Sequence, residues 1–352
     1  MSTSFSPAWF LRGPHAQTIW GRLARSRRAV PFRRETLTTP DGDELVIDHL
    51  DAPVTAPKPR HFLLLHGLEG SSNSVYIQGM LRSIMRRGHA ATAINFRSCA
   101  RDPRNVVRML PNRRPRFYHS GETGDLDFVV RTLSARSPQT HFVAFGASLG
   151  GNVLLKWLGE HPEQQIIRAA ATLSVPYDLG AGSLYLEKSY AGRIYVSRFL
   201  NTLIPKAVNA AMRFPEITLD LDAVRRSRTF RGFDDVATAP LHGFADADDY
   251  YARASSIHFV EHITTRTLCL NAEDDPFLPP DVLPRVREAA SLAVDFRVTP
   301  FGGHVGFVAG TAPWRCEYWG EELAVEWLCS GGLGPPEFPW ENGRPQAVPT
   351  RR

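Results

Sequence analysis

An α/β fold is predicted for this chain, a mostly parallel central sheet flanked by helices, and three features predict it. Apolar runs of strand length recur at residues 61–65, 90–96, 143–145, 167–175, 267–271 and 293–299, with helical patterns between most of them. Strand alternating with helix implies a parallel sheet joined by right-handed crossovers. The second feature is one break in that rhythm, residues 177–263, which carries helical but no strand pattern and reads as an insertion. The third is HFVAFGASLGGNVLL at 141–155, a buried strand that stops at a glycine, presents one serine and continues into a helix.

In chain order, residues 10–20, FLRGPHAQTIW, show no clean periodicity and are expected to form an irregular arm within 1–34. Residues 35–39 and 44–50 flank the turn Pro40-Asp41-Gly42-Asp43 and read as an antiparallel hairpin at a sheet edge. A proline-rich connector, 52–60, leads to the strand 61–65. The helix expected at 74–88 sets Val75, Ile77, Met80, Leu81, Ile84 and Met85 on one face and ends at Gly88. After the strand 90–96 come an arginine-rich loop, 97–119, and a helix at 121–135. Within the insertion, 194–204 and 208–212 have helical spacing, and such an apolar segment over the sheet edge is a candidate cap. Helices are expected at 284–292 and 314–328. The domain organisation is therefore 1–34 arm, 35–176 first part of the core, 177–263 insertion, 264–330 second part of the core, and 331–352 a loosely ordered tail.

The serine motif carries the chemistry. In Gly146-Ala147-Ser148-Leu149-Gly150 the glycines let a strained strand-to-helix turn form, and Ser148 lies at a helix N-terminus that favours developing negative charge. A serine alone is a poor nucleophile, so the hypothesis requires an acid and then a histidine downstream. The strand 267–271 runs into Asp274 and Asp275, either of which could orient a histidine base. Of twelve histidines only His304 sits in a glycine-rich loop, FGGHVGF, after both serine and acid. Acyl transfer also needs two N–H donors for the oxyanion, expected from Leu149 and from Leu68 in the turn His66-Gly67-Leu68-Glu69-Gly70. His66 is expected to brace that turn.

Composition narrows the rest. The 352 residues are 43% hydrophobic and carry a formal charge of +5. No apolar window of membrane-spanning length and no secretion signal occur, so a soluble, cytoplasmic protein is expected. Cys99, Cys269, Cys316 and Cys329 are scattered, and Cys99 and Cys269 read as buried small hydrophobes. With no H-E-x-x-H, no clustered Cys/His pairs and no P-loop, neither metal nor cofactor is expected. Basic residues concentrate at 22–34 and 101–116. No nucleic-acid motif accompanies them, so nucleic acid is not expected as a partner and weak contact with an anionic membrane surface is the version retained. No specific protein partner is predicted.

The blocks HGLEGSSNSVY, NFRSCA, GASLGGN, SVPYDL, FDDVATAPLHGFADADDYY, NAEDDPFLP and GGHVGF, with QTIW at 17–20, make the chain resemble the α/β-hydrolase fold, and within it the YheT-like branch related to abhydrolase-domain lipases. The resemblance implies a serine hydrolase acting on carboxylic esters, lipid or medium-chain esters included, with Ser148, an aspartate and His304 as triad. The spacing from Asp275 to Pro279 resembles the acid turn of related hydrolases and favours Asp275 over Asp274. One departure is Ser98, where the family commonly has glycine. Two alternatives stay open, transfer of the acyl group to an alcohol or thiol, and a non-catalytic binding protein on the same fold.

Overall fold

In a computed structural model, the residues described are 4–25, 29–53, 59–332, 340–341 and 344–345. Most of the connector at 52–60, residues 26–28 of the first basic stretch and most of the tail lie outside them; within the tail, Trp340–Glu341 pairs antiparallel with Arg344–Pro345.

Eight strands form one sheet: β1 (Arg33–Thr38), β2 (Glu44–Leu50), β3 (His61–Leu65), β4 (Ala90–Asn95), β5 (Phe142–Ala147), β6 (Ile167–Leu173), β7 (Thr267–Ala272) and β8 (Val294–Thr299). Their spatial order is β1-β2-β4-β3-β5-β6-β7-β8. The β1–β2 hairpin is antiparallel and lies at an edge, β2 runs antiparallel to β4, and all later pairings are parallel. Alternation along the strands feeds two cores. Leu63 and Leu65 of β3 pack with Val129, Val153 and Trp157 on one face, and Phe62 and Leu64 pack with Ile84 and Trp327 on the other. A strand covered on both faces has no side free for polar residues, which is why β3 and β5 read as continuous apolar runs.

Helices α1 (Pro14–Ala24), α2 (Val75–Arg86), α3 (Thr123–Arg136) and α4 (Leu149–Glu160) precede the insertion. In α2 the buried stripe is Ile77, Met80, Leu81 and Ile84; Met85, expected on the same face, is one position off it and exposed. Helix α1 corrects the expected irregular arm. Pro14 presets its first turn, and its one buried side chain is the polar Gln17, so no apolar stripe announces it. The arginine-rich loop contains a short antiparallel pair, Arg101–Asp102 with Asn105–Met109.

The insertion holds α5 (Leu179–Lys188), α6 (Tyr190–Arg213), α7 (Leu221–Arg226), a helical run at 230–242 with a π-turn at Asp234–Thr238, and α8 (Ala247–Ala254). The two pieces expected at 194–204 and 208–212 are one 24-residue helix that continues through Pro205. Proline denies the Asn201 carbonyl its helical partner, but Asn201 is exposed and water can supply the bond. Helix α9 (Val282–Ala289) precedes β8, and α10 (Trp319–Cys329) ends the core. That last helix starts five residues later than expected, because Trp314 sits at the turn of a hairpin, Val308–Ala312 with Arg315–Tyr318. No helix among the described residues is long and apolar enough to cross a membrane.

Arg97, at the carboxyl end of β4, is buried, and its guanidinium meets three carboxylates. It holds Asp125 at 2.7 and 2.8 Å through two nitrogens, and Asp41 and Asp43 at 2.8 Å through the third. The cluster ties the β1–β2 turn and α3 to the sheet. Replacing Arg97 by Met would leave Asp43 and Asp125 buried without a cation, a loss expected at about 3–5 kcal/mol. Urea unfolding measures it, and a loss below about 1 kcal/mol would show that the carboxylates are neutral or hydrated.

Candidate active site

Ser148 stands between β5 and α4 with φ 52° and ψ −123°, a backbone region costly for any side chain. Packing holds it there. A methyl group at Gly146 would come within 2.5 Å of the Gly150 carbonyl oxygen, and one at Gly150 within 2.5 Å of the His66 carbonyl oxygen. The Ser148 N–H donates to the Leu173 carbonyl at 2.8 Å, fixing the turn to β6. Beyond it the buried Asn152 donates to the carbonyls of Ser120 and Ala254 and accepts from the Ser256 N–H, tying the end of α8 to α4.

His304 reaches Ser148 from the loop after β8. Its Nε2 lies 2.9 Å from Ser148 Oγ, and its Nδ1 lies 2.9 and 3.1 Å from the two carboxylate oxygens of Asp275. Asp275 is buried and also accepts the Phe277 N–H, while the Phe277 ring stacks on His304 with centroids 4.1 Å apart. Asp274 has other work: its carboxylate accepts the Gly303 N–H at 2.8 Å and so braces the histidine loop.

That loop is strained, with Gly303, Val305 and Phe307 at φ 59°, 55° and 46°. Helix α1 supports it. Thr18 Oγ accepts the His304 N–H at 2.9 Å, the Gln17 side chain accepts from the Val308 N–H and donates to its carbonyl, and Ser174 accepts from Val305. A side chain at Gly303 would strike the Pro14 carbonyl at 2.4 Å. Gln17, Thr18, Ser174 and Phe277 do not stand out in the sequence as site residues; the signal for each is only its place in a family-like block, QTIW for Gln17 and Thr18, SVPYDL for Ser174 and NAEDDPFLP for Phe277.

Leu68 and Leu149 both line the cavity above Ser148. The amides either side of Leu68 are engaged, Gly67 N–H with the Tyr76 hydroxyl and Glu69 N–H with the Tyr118 hydroxyl, each at 2.6 Å, which fixes the peptide between them. Glu69, at φ 56°, is ion-paired at 2.5 Å with Lys206 of α6. His66 is buried; one ring nitrogen bonds the Gly67 carbonyl and the other accepts the Phe96 N–H. Burial pushes its pKa down to about 4, so the ring is neutral and rigid near pH 7.

The cavity, of about 120 Å³, has Leu149, Leu186, Phe199, Phe233 and Phe277 among its walls. One carboxyl lines it, Asp234 of the π-turn, which accepts from Tyr251 Oη at 2.7 Å and Thr238 Oγ at 2.5 Å. Burial pushes Asp234 up to about 6. Arg97 does not line this cavity. Cys99 and Cys269 are buried, and burial raises both thiols to about 11. Among the described residues, His119, Glu122 and His242 could offer metal donors within 4.8 Å of one another, but Arg116 already bonds the Glu122 carboxylate and competes with any cation.

Comparison with known proteins fits this arrangement. The family model for the α/β-hydrolase fold matches residues 60–311. YheT of Escherichia coli (strain K12), an esterase by name only, is 34% identical over 93% of both chains. Phospholipase ABHD3 of Mus musculus is 31% identical over 88% of this chain and 74% of its own, and a monoacylglycerol lipase of Saccharomyces cerevisiae is 29% identical over 78% and 59%. A solved puromycin hydrolase aligns with 86% of this chain and 39% of its own at a TM-score of 0.53 and 14% identity, a likeness of fold alone. With a family model spanning most of its length and a relative matched nearly end to end, the chain belongs to the α/β-hydrolase family, in its YheT-like branch.

Proposed function

We propose that this protein is a serine hydrolase of carboxylic esters. The observation that carries the proposal is the continuous contact from Ser148 Oγ through His304 to Asp275, each link near 2.9 Å. Ser148 Oγ attacks the ester carbonyl as His304 Nε2 takes its proton. Asp275 holds the Nδ1–H and stabilises the imidazolium. The N–H groups of Leu149 and Leu68 receive the oxyanion. The tetrahedral intermediate collapses, His304 returns the proton to the departing alkoxide, and the acyl group stays on Ser148. Water, deprotonated by His304, then attacks the acyl-enzyme and releases the acid. The apolar cavity under residues 177–263, acting as a cap, suits a medium acyl chain, and relatives named as a phospholipase and a monoacylglycerol lipase support lipid esters as the substrate class.

Hydrolysis of p-nitrophenyl esters from two to sixteen carbons tests this. Ser148→Ala is expected to lower kcat by roughly 10⁴-fold or more, and the chain-length optimum measures the cavity. Turnover intact in the pure variant would sink the proposal. The two aspartates separate in the same assay. Asp275→Asn is expected to cost on the order of 10⁴ in kcat and Asp274→Asn far less, since only Asp275 touches His304. Equal losses would contradict that division of roles.

Asp234 adds a pH dependence. Its folded carboxyl binds a proton more tightly than the unfolded one, so the native state is fully favoured below about pH 4 and loses stability as pH rises through 6. The rise from the ordinary 3.8 to about 6 corresponds to roughly 2–3 kcal/mol of stability lost by neutral pH. Comparing urea unfolding of the wild type and Asp234→Asn at pH 4.5 and 7.5 should show the variant gaining relative stability at the higher pH. A difference independent of pH would mean that Asp234 ionises normally.

A further inference from the structure

We infer that a basic cleft beside the catalytic cavity receives an anionic, phosphate-class group on the alcohol side of the ester substrate. The inference rests on the hydrolase reading above and adds the chemistry of the substrate's charged end.

The cleft, of about 790 Å³, lies between the hairpin at 101–109 and helix α6, with Leu68 and Glu69 in its wall. Leu68, Phe117 and Phe199 line both this cleft and the catalytic cavity, so the two spaces share one partition. Arg101, Arg108, Arg114, Arg198, Lys206 and Arg213 face the cleft. Among the described residues Glu69 is the only carboxylate in its wall, and it is already ion-paired to Lys206. Arg101, Arg198 and Arg213 have no carboxylate partner among the described residues.

Like charges gathered around a concavity repel one another, and the field they focus there is relieved by an anion. Seven arginines line the cleft, Arg22 and Arg116 included, in a chain whose basic excess is only +5 over 352 residues. They are drawn from three distant parts of the sequence, α1, the 101–116 stretch and the insertion helix, so the fold and not local composition assembles them. Guanidinium groups match the oxygens of a phosphate, and the side-chain amides of Asn201 and Asn209 add neutral donors to the same wall. The sequence alone pointed the arginine stretch towards weak membrane contact. Its convergence with α6 on a concavity next to Ser148 favours a single anionic group of the substrate instead.

The test is a pair of soluble esters below their aggregation concentration, monobutyryl glycerol and monobutyryl glycerol 3-phosphate, with acid release followed for each. The ratio of kcat/KM, phosphorylated over neutral, is expected to be about tenfold or more at low salt and to approach one as ionic strength rises. In Arg198→Glu/Arg213→Glu, checked for an unchanged melting temperature, the ratio should fall below one. A wild-type ratio near one, or a ratio unmoved in the double variant, overturns the inference while neutral-ester turnover leaves the hydrolase reading standing. Loss of all turnover together with no labelling of Ser148 by a fluorophosphonate would overturn both. Cosedimentation with phosphatidylglycerol vesicles separates the membrane source: arginine-dependent vesicle binding without any preference for the soluble phosphorylated ester assigns these residues to surface docking and overturns the inference.

Discussion

The close approach of backbones at the Ser148 turn is the constraint on which the remainder of the site depends. Gly146 and Gly150 leave no room for a side chain, Gly67 sits with its missing Cβ 3.2 Å from Ser148 Cβ, and the serine is held in a left-handed conformation. Such strain persists only where the surroundings over-determine it. Here β3, β5, β6 and the start of α4 do so together. The same compression brings Leu68 and Leu149 to one cavity as Ser148. The geometry of Ser148 and the wall around it are thus one packing solution.

A second set of contacts places the histidine. Four of its supports come from three regions: Asp275, Asp274 and Phe277 from the turn after β7 and the segment that follows it, Thr18 from α1. Adjacent aspartates divide the labour, one facing the imidazole and its neighbour the loop that carries it. The insertion is coupled to the same region through Lys206 and Glu69, so a displacement of α6 would be felt next to Leu68. Ser98, at φ 60° where the family commonly has glycine, meets its conformational cost by bonding the Asn112 side chain through both its N–H and its hydroxyl.

Much of this was legible in the sequence because it depends on local rules. Two-sided burial writes itself as apolar runs, and the serine turn writes itself as paired glycines. What was illegible depended on tertiary partners. Helix α1 hides because its buried residue is Gln17, whose side chain serves a backbone 291 residues away. Proline at 205 made one helix look like two. Asp274 and Asp275 are identical neighbours at a turn, so residue type did not separate them, and only the family-like spacing to Pro279 favoured Asp275, the one that meets His304. Arg97 lies beyond the carboxyl end of β4, and its three carboxylate partners, at 41, 43 and 125, make it a structural cation.

The bond from His304 N–H to Thr18 spans 286 residues. On the ribosome, α1 is made before the core and must wait for almost all of it before the segment it supports exists. Contacts of such separation are slow to form, because the long loop must close before they are rewarded. The Ser148 turn, built from strands within about a hundred residues of one another, can set much earlier. A nascent chain therefore carries Ser148 well before His304, and the contact between them forms only after β8 and the loop that follows it have been made.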